Sequence, residues 1–245
     1  MRRFFINVPL SSTVFIEGAD ARHMALVLRM ASGDTVQVAA PDGKTAKAEI
    51  IRISAESVQL TLLEAMEDHT EPPVKVWLVQ GLGKGEKMDY IIQKAVELGV
   101  YGIIPAITEH CIVKYDVQKQ ADKVVRWQKI AREAAKQCGR SYIPRILPVT
   151  RLAAVLGQPE ISNASTIMLY EGQAPQGLKQ VLSKTGRPVY GLFIGPEGGF
   201  SPAEVALCAA NGVSVVSMGP RIMRTETAAV AALTVVMYEC GDLGG

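Results

Sequence analysis

The most chemically suggestive stretch of the sequence joins an apolar run to a glycine-rich loop and then to a helix start. Residues 189–194 are mostly apolar, and residues 195–199 read Gly-Pro-Glu-Gly-Gly. Ser201, Pro202 and Glu204 have the pattern of a helix N-terminus with a capping box. The loop lacks the spacing of phosphate-binding glycine motifs, and its glutamate would repel a phosphate. We therefore expect it to bind a non-phosphorylated ligand at the carboxyl end of a strand, the alternative being a tight turn without a ligand.

A second loop repeats this design. Residues 213–218 form a strand-like run with three valines, and residues 219–224 contain Gly-Pro and then an apolar pair between two arginines. Thr225 is placed to cap the next helix, and Glu226 suits the positive end of its dipole. On successive parallel strands, two such loops would form one pocket whose backbone groups could hold an adenine edge and an amino-acid end. The apolar walls would be Ile194, Met218, Ile222 and Met223, for which plain core packing is the alternative.

Positive charge is concentrated in one segment. The formal net charge is only +2, but residues 114–145 carry nine Lys or Arg against three Asp or Glu. At roughly 100° per residue along a helix, apolar and basic side chains fall on opposite faces. Such a stripe would neutralise RNA phosphates without reading sequence, the alternative being a solvated face. The apolar set is Val124, Trp127, Ala131, Ala134 and Cys138, and the basic set is Lys119, Arg126, Lys129, Arg132, Lys136 and Arg140.

Two segments with different patterns position these features. Residues 1–70 contain short, partly alternating β-branched runs between glycine turns, which predicts a small β-barrel interrupted by one helix. After Pro72-Pro73, strand-like runs alternate with helical patterns, which predicts a largely parallel α/β sheet. The predicted strands cover residues 35–39, 46–53, 57–62, 74–82, 103–108, 146–149, 166–170, 189–194 and 213–218. The predicted helices cover 21–30, 87–98, 117–138, 177–183, 202–210 and 226–240.

The composition excludes disordered, collagen-like and disulfide-rich classes, since 48% of residues are hydrophobic and 20% are charged. Charge or glycine breaks each apolar stretch within about ten residues, whereas a membrane span requires roughly 20. Asn7 and Pro9 end the first apolar run too early for a signal peptide. The four cysteines lie far apart without metal-binding spacing, so we expect reduced thiols and no metal. These features predict a soluble, cytoplasmic protein.

The two loops together resemble the signature pair of the SPOUT methyltransferases, and specifically the RsmE family of ribosomal RNA uracil-N3 methyltransferases. Residues 195–201 read GPEGGFS and residues 218–228 read MGPRIMRTETA. The family's Leu-Arg-Thr-Glu-Thr-Ala begins with Met223 here, a swap that conserves volume. The resemblance continues, in the expected order, in residues 3–5, 23–29, 33–34, 94–100 and 134–140.

The resemblance implies an α/β fold with a PUA-like N-terminal barrel over residues 1–70 and a SPOUT domain over residues 74–245 that carries a deep trefoil knot. It also implies that the chain binds S-adenosylmethionine, forms a homodimer and methylates N3 of a uridine in 16S ribosomal RNA within the small subunit. The alternatives are a SPOUT ribose 2′-O-methyltransferase and a non-catalytic RNA-binding ribosome-assembly factor. Glu97 and Gln137 match family positions, but a structural or dimer role fits them equally well.

Roles for individual residues follow from the loops, the charge map and the resemblance. Arg224 is the candidate for stabilising the uracil anion, and Glu197 or Glu226 could be the base if desolvation raises its pKa. The candidate cofactor-binding residues are Leu169, Ile194, Gly195, Pro196, Glu197, Gly198, Met218, Gly219, Ile222, Met223, Arg224 and Thr225. The candidate RNA-binding residues are Arg3, His23, Arg29, Lys84, Lys87, Arg126, Arg132, Lys136 and Arg140.

Overall fold

The structure is a computed structural model that describes residues 1–172, 174–183 and 188–244. By its internal contacts the chain divides into two units. The first contains residues 1–71 and 135–143, and the second contains residues 72–134 and 144–245. Within the described residues, no helix has the length and apolar character needed to cross a bilayer.

The first unit is built on a five-stranded mixed sheet in the order β1-β3-β4-β5-β2. Strands β1 and β3 are parallel, and the other pairs are antiparallel. Register shifts interrupt the β4–β5 ladder at two points, and such bulges bend a sheet. The predicted barrel therefore takes the form of a curled sheet. Strands β1 and β2 are its two edge strands, and no hydrogen-bonded ladder joins them within the described residues 1–71. The strands are β1 (Arg3–Phe5), β2 (Thr13–Glu17), β3 (Thr35–Ala39), β4 (Thr45–Ile53) and β5 (Ser57–Met66).

Alternation along these strands builds the core of the first unit. In β2, Val14 and Ile16 are buried, whereas Phe15 between them is 54% exposed. Successive side chains of a strand point to opposite faces, so one face of the curled sheet packs inward. Phe4, Val36, Val38, Ile50 and Leu60 lie in the same buried cluster.

The predicted helix over residues 21–30 has a different form. It consists of α1 (Ala19–Arg22) followed by a π-helical turn, His23–Val27, in which the Leu28 N–H donates to the His23 carbonyl at 2.9 Å. Met24 is buried, but Val27 is 66% exposed, so the two do not share a packed face as they would on a regular helix. The wider turn removes the 3.6-residue period on which that prediction depended.

Arg140 lies in the part of the first unit formed by residues 135–143 and is only 4% exposed. Its guanidinium donates to the Glu71 carboxylate, with Nη2 at 2.6 Å, and the backbone N–H groups of Ser141 and Tyr142 donate to the same carboxylate. The prediction that Arg140 lies on the exposed basic face is therefore wrong. Helix α3 (Val117–Cys138) has ended before this residue, and Gly139 at φ +77° turns the chain away from helical periodicity.

The second unit carries an eight-stranded parallel sheet in the order β11-β13-β10-β12-β6-β7-β8, with β9 paired to β7. Its strands are β6 (Lys75–Gly81), β7 (Gly102–Ile107), β8 (Arg145–Ile146), β9 (Thr150–Arg151), β10 (Ser165–Leu169), β11 (Gln176–Gly177), β12 (Val189–Ile194) and β13 (Ser214–Ser217). Its other helices are α2 (Lys87–Glu97), α4 (Leu152–Val155), α5 (Pro159–Ser162), α6 (Leu178–Leu182), α7 (Pro202–Ala210) and α8 (Thr225–Cys240).

The strand order brings three loops to one edge of this sheet. Strand β10 lies between β12 and β13, so the chain crosses β10 as it passes from one to the other. Because all three strands are parallel, the segments that follow them leave at the same edge, which is where open α/β sheets bind ligands. The predicted trefoil knot concerns how the chain threads through these crossings, and it stays a prediction.

The helix prediction over residues 117–138 is confirmed, with Trp127, Ala131 and Ala134 buried on one side. The prediction over 202–210 is confirmed as well. The short helices α4 and α5 are not predicted, and neither are strands β1 and β2.

Candidate active site

A cavity of about 610 Å³ lies at the carboxyl edge of the parallel sheet. Its walls are the segments that follow β10, β12 and β13, together with Lys87 from the start of α2. Both loops singled out in the sequence therefore line one cavity, as the sequence predicts. The cavity is lined by Lys87, Leu169, Tyr170, Glu171, Gly172, Ile194, Gly195, Pro196, Glu197, Gly199, Phe200, Ser217, Met218, Gly219, Pro220, Arg221, Ile222, Met223, Arg224, Thr225 and Ala228.

The loop after β12 is held in its middle and at the end where α7 begins. Ser201 caps α7, with its hydroxyl accepting from the Glu204 N–H at 3.2 Å and the Glu204 carboxylate accepting from the Ser201 N–H at 2.9 Å. The predicted capping box is thus confirmed. In the middle of the loop, the Gly198 carbonyl accepts a hydrogen bond from His110 Nδ1 at 2.8 Å. These contacts hold the glycine-rich backbone in place beside the cavity.

Thr225 joins the two loops. Its hydroxyl donates to the Gly195 carbonyl at 2.6 Å and accepts from Gln80 Nε2 at 2.9 Å. Gln80 is fully buried at the end of β6, and its amide also donates to the Gly81 carbonyl at 3.0 Å. The prediction that Thr225 caps the last helix is wrong, because Arg224 occupies the N-cap position and the Thr225 side chain instead bonds to the neighbouring loop.

The two candidate glutamates share one cation. Lys87 Nζ lies 2.9 Å from Glu197 Oε1 and 3.7 Å from Glu226 Oε2. Burial favours the neutral acid of Glu197, but hydrogen bonds from Lys87 Nζ and the Lys84 N–H outweigh it and hold the pKa of this carboxyl below its ordinary value. The hydrogen bond to Glu197 in turn raises the pKa of Lys87. The condition that desolvation raises the pKa of Glu197 is therefore not met.

Arg224 lines the cavity with its side chain exposed. Across residues 1–172, 174–183 and 188–244, no hydrogen bond or ion pair engages its guanidinium. Lys87, and not Arg224, forms the ion pairs with Glu197 and Glu226. The cavity thus contains an arginine whose charge is available to a ligand.

Most of the predicted cofactor-binding residues line the cavity, and Gly198 is the exception because it lies against His110. Glu226 does not line the cavity either, and its Oε2 is buried without a hydrogen-bond partner among the described residues.

The sequence did not predict a role for Gln80 or Glu171, because neither lies in the two motif loops. The position of Glu171 directly after the predicted strand over residues 166–170 was the available signal.

The predicted RNA-binding residues differ from one another in exposure and in the partners of their side chains. Lys87 lies in the cavity and pairs with Glu197, and its assignment to RNA binding stays a prediction. Arg3 is bonded to Asp68 and to the Gly139 carbonyl, and Lys136 Nζ lies 2.8 Å from Asp20. Arg126 is exposed and paired with Asp89. His23, Arg29 and Lys84 are exposed, and Arg132 is partly exposed.

Known proteins match both parts of the chain. A family model described as an RNA methyltransferase domain matches residues 70–237, and one described as an RNA methyltransferase PUA domain matches residues 16–63. The fold is therefore that of a SPOUT RNA methyltransferase with a PUA-like N-terminal domain. The ribosomal RNA small subunit methyltransferase E of Bacillus subtilis is 35% identical over the full chain and 99% of its own length. The chain belongs to the ribosomal RNA small subunit methyltransferase E family.

Solved structures agree with this assignment. A methyltransferase from Legionella pneumophila, in complex with the cofactor SAM, has a TM-score of 0.85 and 33% identity over 98% of both chains. The ribosomal RNA small subunit methyltransferase E from Neisseria gonorrhoeae, bound to S-adenosyl methionine, has a TM-score of 0.84 and 29% identity over 99% of both chains.

Proposed function

We propose that this protein transfers a methyl group from S-adenosylmethionine to N3 of a specific uridine in 16S ribosomal RNA. The observation that carries the proposal is the cavity, in which the backbone of two glycine-containing loops lies beside the guanidinium of Arg224, which has no ion-pair partner among the described residues. Relatives named small subunit methyltransferase E, and two related structures with the bound cofactor, support it.

The residues of the cavity suit a cofactor of this shape and charge. Ile194, Met218 and Met223 offer apolar contact for an adenine ring, while exposed backbone groups of the loops offer hydrogen bonds. When bound, the cofactor supplies a sulfonium methyl group that is already a strong electrophile. The protein then has to align the acceptor nitrogen and stabilise its charge.

We infer that the N3 proton passes to solvent and not to a carboxylate of the site. Lys87 pairs with Glu197 and lowers the pKa of its carboxyl, which makes it a weaker base, and Glu226 does not line the cavity. Arg224 instead stabilises the negative charge that spreads over O2 and O4 of uracil as the proton leaves. Loss of the proton and gain of the methyl group leave N3-methyluracil and neutral S-adenosylhomocysteine.

We also propose that the protein acts as a homodimer and that it works in the cytoplasm on the small ribosomal subunit.

We propose in addition that the first unit and the exposed basic face of α3 bind RNA. Lys119, Arg126 and Lys129 are exposed on α3, which supports contact with phosphates. Arg140 takes no part in this surface because Glu71 holds it in the interior.

Replacement of Arg126 or Arg132 with alanine should weaken RNA binding and flatten its salt dependence, by about one phosphate contact each. The measurement is the slope of log affinity against log salt for a 16S fragment. Lys179→Ala removes one exposed charge from α6 and is the matched control, expected to leave the slope unchanged. If the slope of log affinity against log salt is unchanged in both α3 variants, this face contacts solvent and not RNA phosphates.

Calorimetry with S-adenosylmethionine separates the enzyme from a non-catalytic assembly factor. We expect one site per chain, and a chain that binds RNA without binding the cofactor would contradict the proposal. A ribose 2′-O-methyltransferase would bind the same cofactor, so only the product distinguishes it.

A further inference from the structure

We propose that Glu171 holds the ribose hydroxyl pair of the cofactor, an assignment that rests on the proposed function. Glu171 stands two residues beyond the end of β10 and lines the cavity with its side chain exposed. In the described part of the chain, no hydrogen bond or ion pair engages its carboxylate. The other cavity carboxylate, Glu197, is already paired with Lys87.

Gly199 makes room for this carboxylate. A Cβ atom on Gly199 would lie 3.0 Å from the carboxyl carbon of Glu171 and 3.2 Å from its Oε2, which is tighter than most real Cβ contacts, so the carboxylate would have to move. Gly199 also has φ +67°, a conformation that favours glycine. The motif glycine therefore leaves room for the carboxylate beside the loop that forms the cavity wall.

The position of Glu171 favours a diol over other donors. Strand β10 pairs directly with β12, whose loop carries the glycines. In dinucleotide-binding folds, a carboxylate at the end of the strand beside the glycine loop accepts from ribose hydroxyls. A carboxylate has two oxygens and accepts from two neighbouring hydroxyls at once. Glu171 has the same relation to its glycine loop.

The test compares the affinities of the wild type and Glu171→Gln for three ligands, of which two lack the amino-acid end of the cofactor. Wild type and variant are titrated with S-adenosylmethionine, 5′-methylthioadenosine and 2′-deoxy-5′-methylthioadenosine. We expect the variant to bind the first two about tenfold to 100-fold more weakly, as for loss of a charge-assisted hydrogen bond. The wild type should prefer the ribose form over the deoxy form, and the variant should lose most of that preference.

Glu239→Gln is the matched control, because it removes an exposed carboxylate from α8 outside the cavity. A variant that keeps the full ribose preference would overturn the inference. So would a variant weakened toward S-adenosylmethionine but not toward 5′-methylthioadenosine, since Glu171 would then bind the ammonium group. Failure of the wild type to bind S-adenosylmethionine would instead overturn the proposed function itself.

Discussion

Gly219→Val should reduce the affinity for S-adenosylmethionine by more than about 100-fold. Gly219 lines the cavity at φ +88°, and a Cβ built there meets no protein atom within 4 Å. The added side chain would therefore enter space left for the ligand, and the strained backbone would shift the loop. Calorimetry gives the affinity, and circular dichroism with thermal unfolding shows whether the fold is retained.

Gly212→Val is the matched control for backbone strain. Gly212 has φ +80°, its Cβ position is equally open, and it lies outside the cavity. We expect a similar loss of stability without a change in affinity. Gly195→Val should also remove binding, because its Cβ would lie 3.1 Å from the Gly199 Cα and would push the loop. A folded Gly219→Val protein with wild-type affinity would contradict the assignment of the cavity.

Arg224→Lys should lower the single-turnover rate of methyl transfer by roughly 100-fold, as for loss of one group that stabilises a developing anion. Lysine keeps the charge but lacks the planar pair of donors that can reach a uracil oxygen from two directions. Cofactor affinity should change little, because the charge that Arg224 stabilises appears only during reaction. Rapid-quench measurement at saturating cofactor gives the rate.

Raising the pH should partly restore the rate of Arg224→Lys. At higher pH more uracil loses its N3 proton before reaction, so the substrate supplies the anion that the variant fails to stabilise. Lys87 remains charged over this range, since its hydrogen bond to Glu197 raises its pKa. Arg151→Lys, an exposed change outside the cavity, is the control and should leave the profile unchanged. If Arg224→Lys abolishes cofactor binding and leaves the saturated rate intact, Arg224 belongs to the cofactor site alone.

The sequence predicts much of the α/β unit because its strands are continuous apolar runs between clear helix signals. The capping box at Ser201 and Glu204 is local in sequence, and the structure contains it as predicted. Strands β1 and β2 are short, and β2 exposes Phe15, so their apolar signal is weak. The π-helical turn at His23 breaks the helical period that pattern reasoning assumes.

The contacts of the site were harder to predict because they join distant parts of the chain. Thr225 has the residue type of a helix cap, and only the fold places Gln80 and the Gly195 carbonyl against its hydroxyl. Arg140 continues the basic spacing of α3, yet the chain leaves the helix before it and Glu71 binds it. The sequence therefore predicts which loops form the cavity, and tertiary pairing decides which charges are available there.

The most direct test is methyl transfer to small-subunit RNA, naked and in assembled 30S particles that lack the modification. Nucleoside mass spectrometry identifies the product, and mapping of the RNA locates the modified base. We predict one 3-methyluridine per 16S molecule, formed with stoichiometric conversion of S-adenosylmethionine to S-adenosylhomocysteine. A 2′-O-methylated nucleoside, or no methyl transfer to either substrate by protein that binds the cofactor, would contradict uracil-N3 methylation.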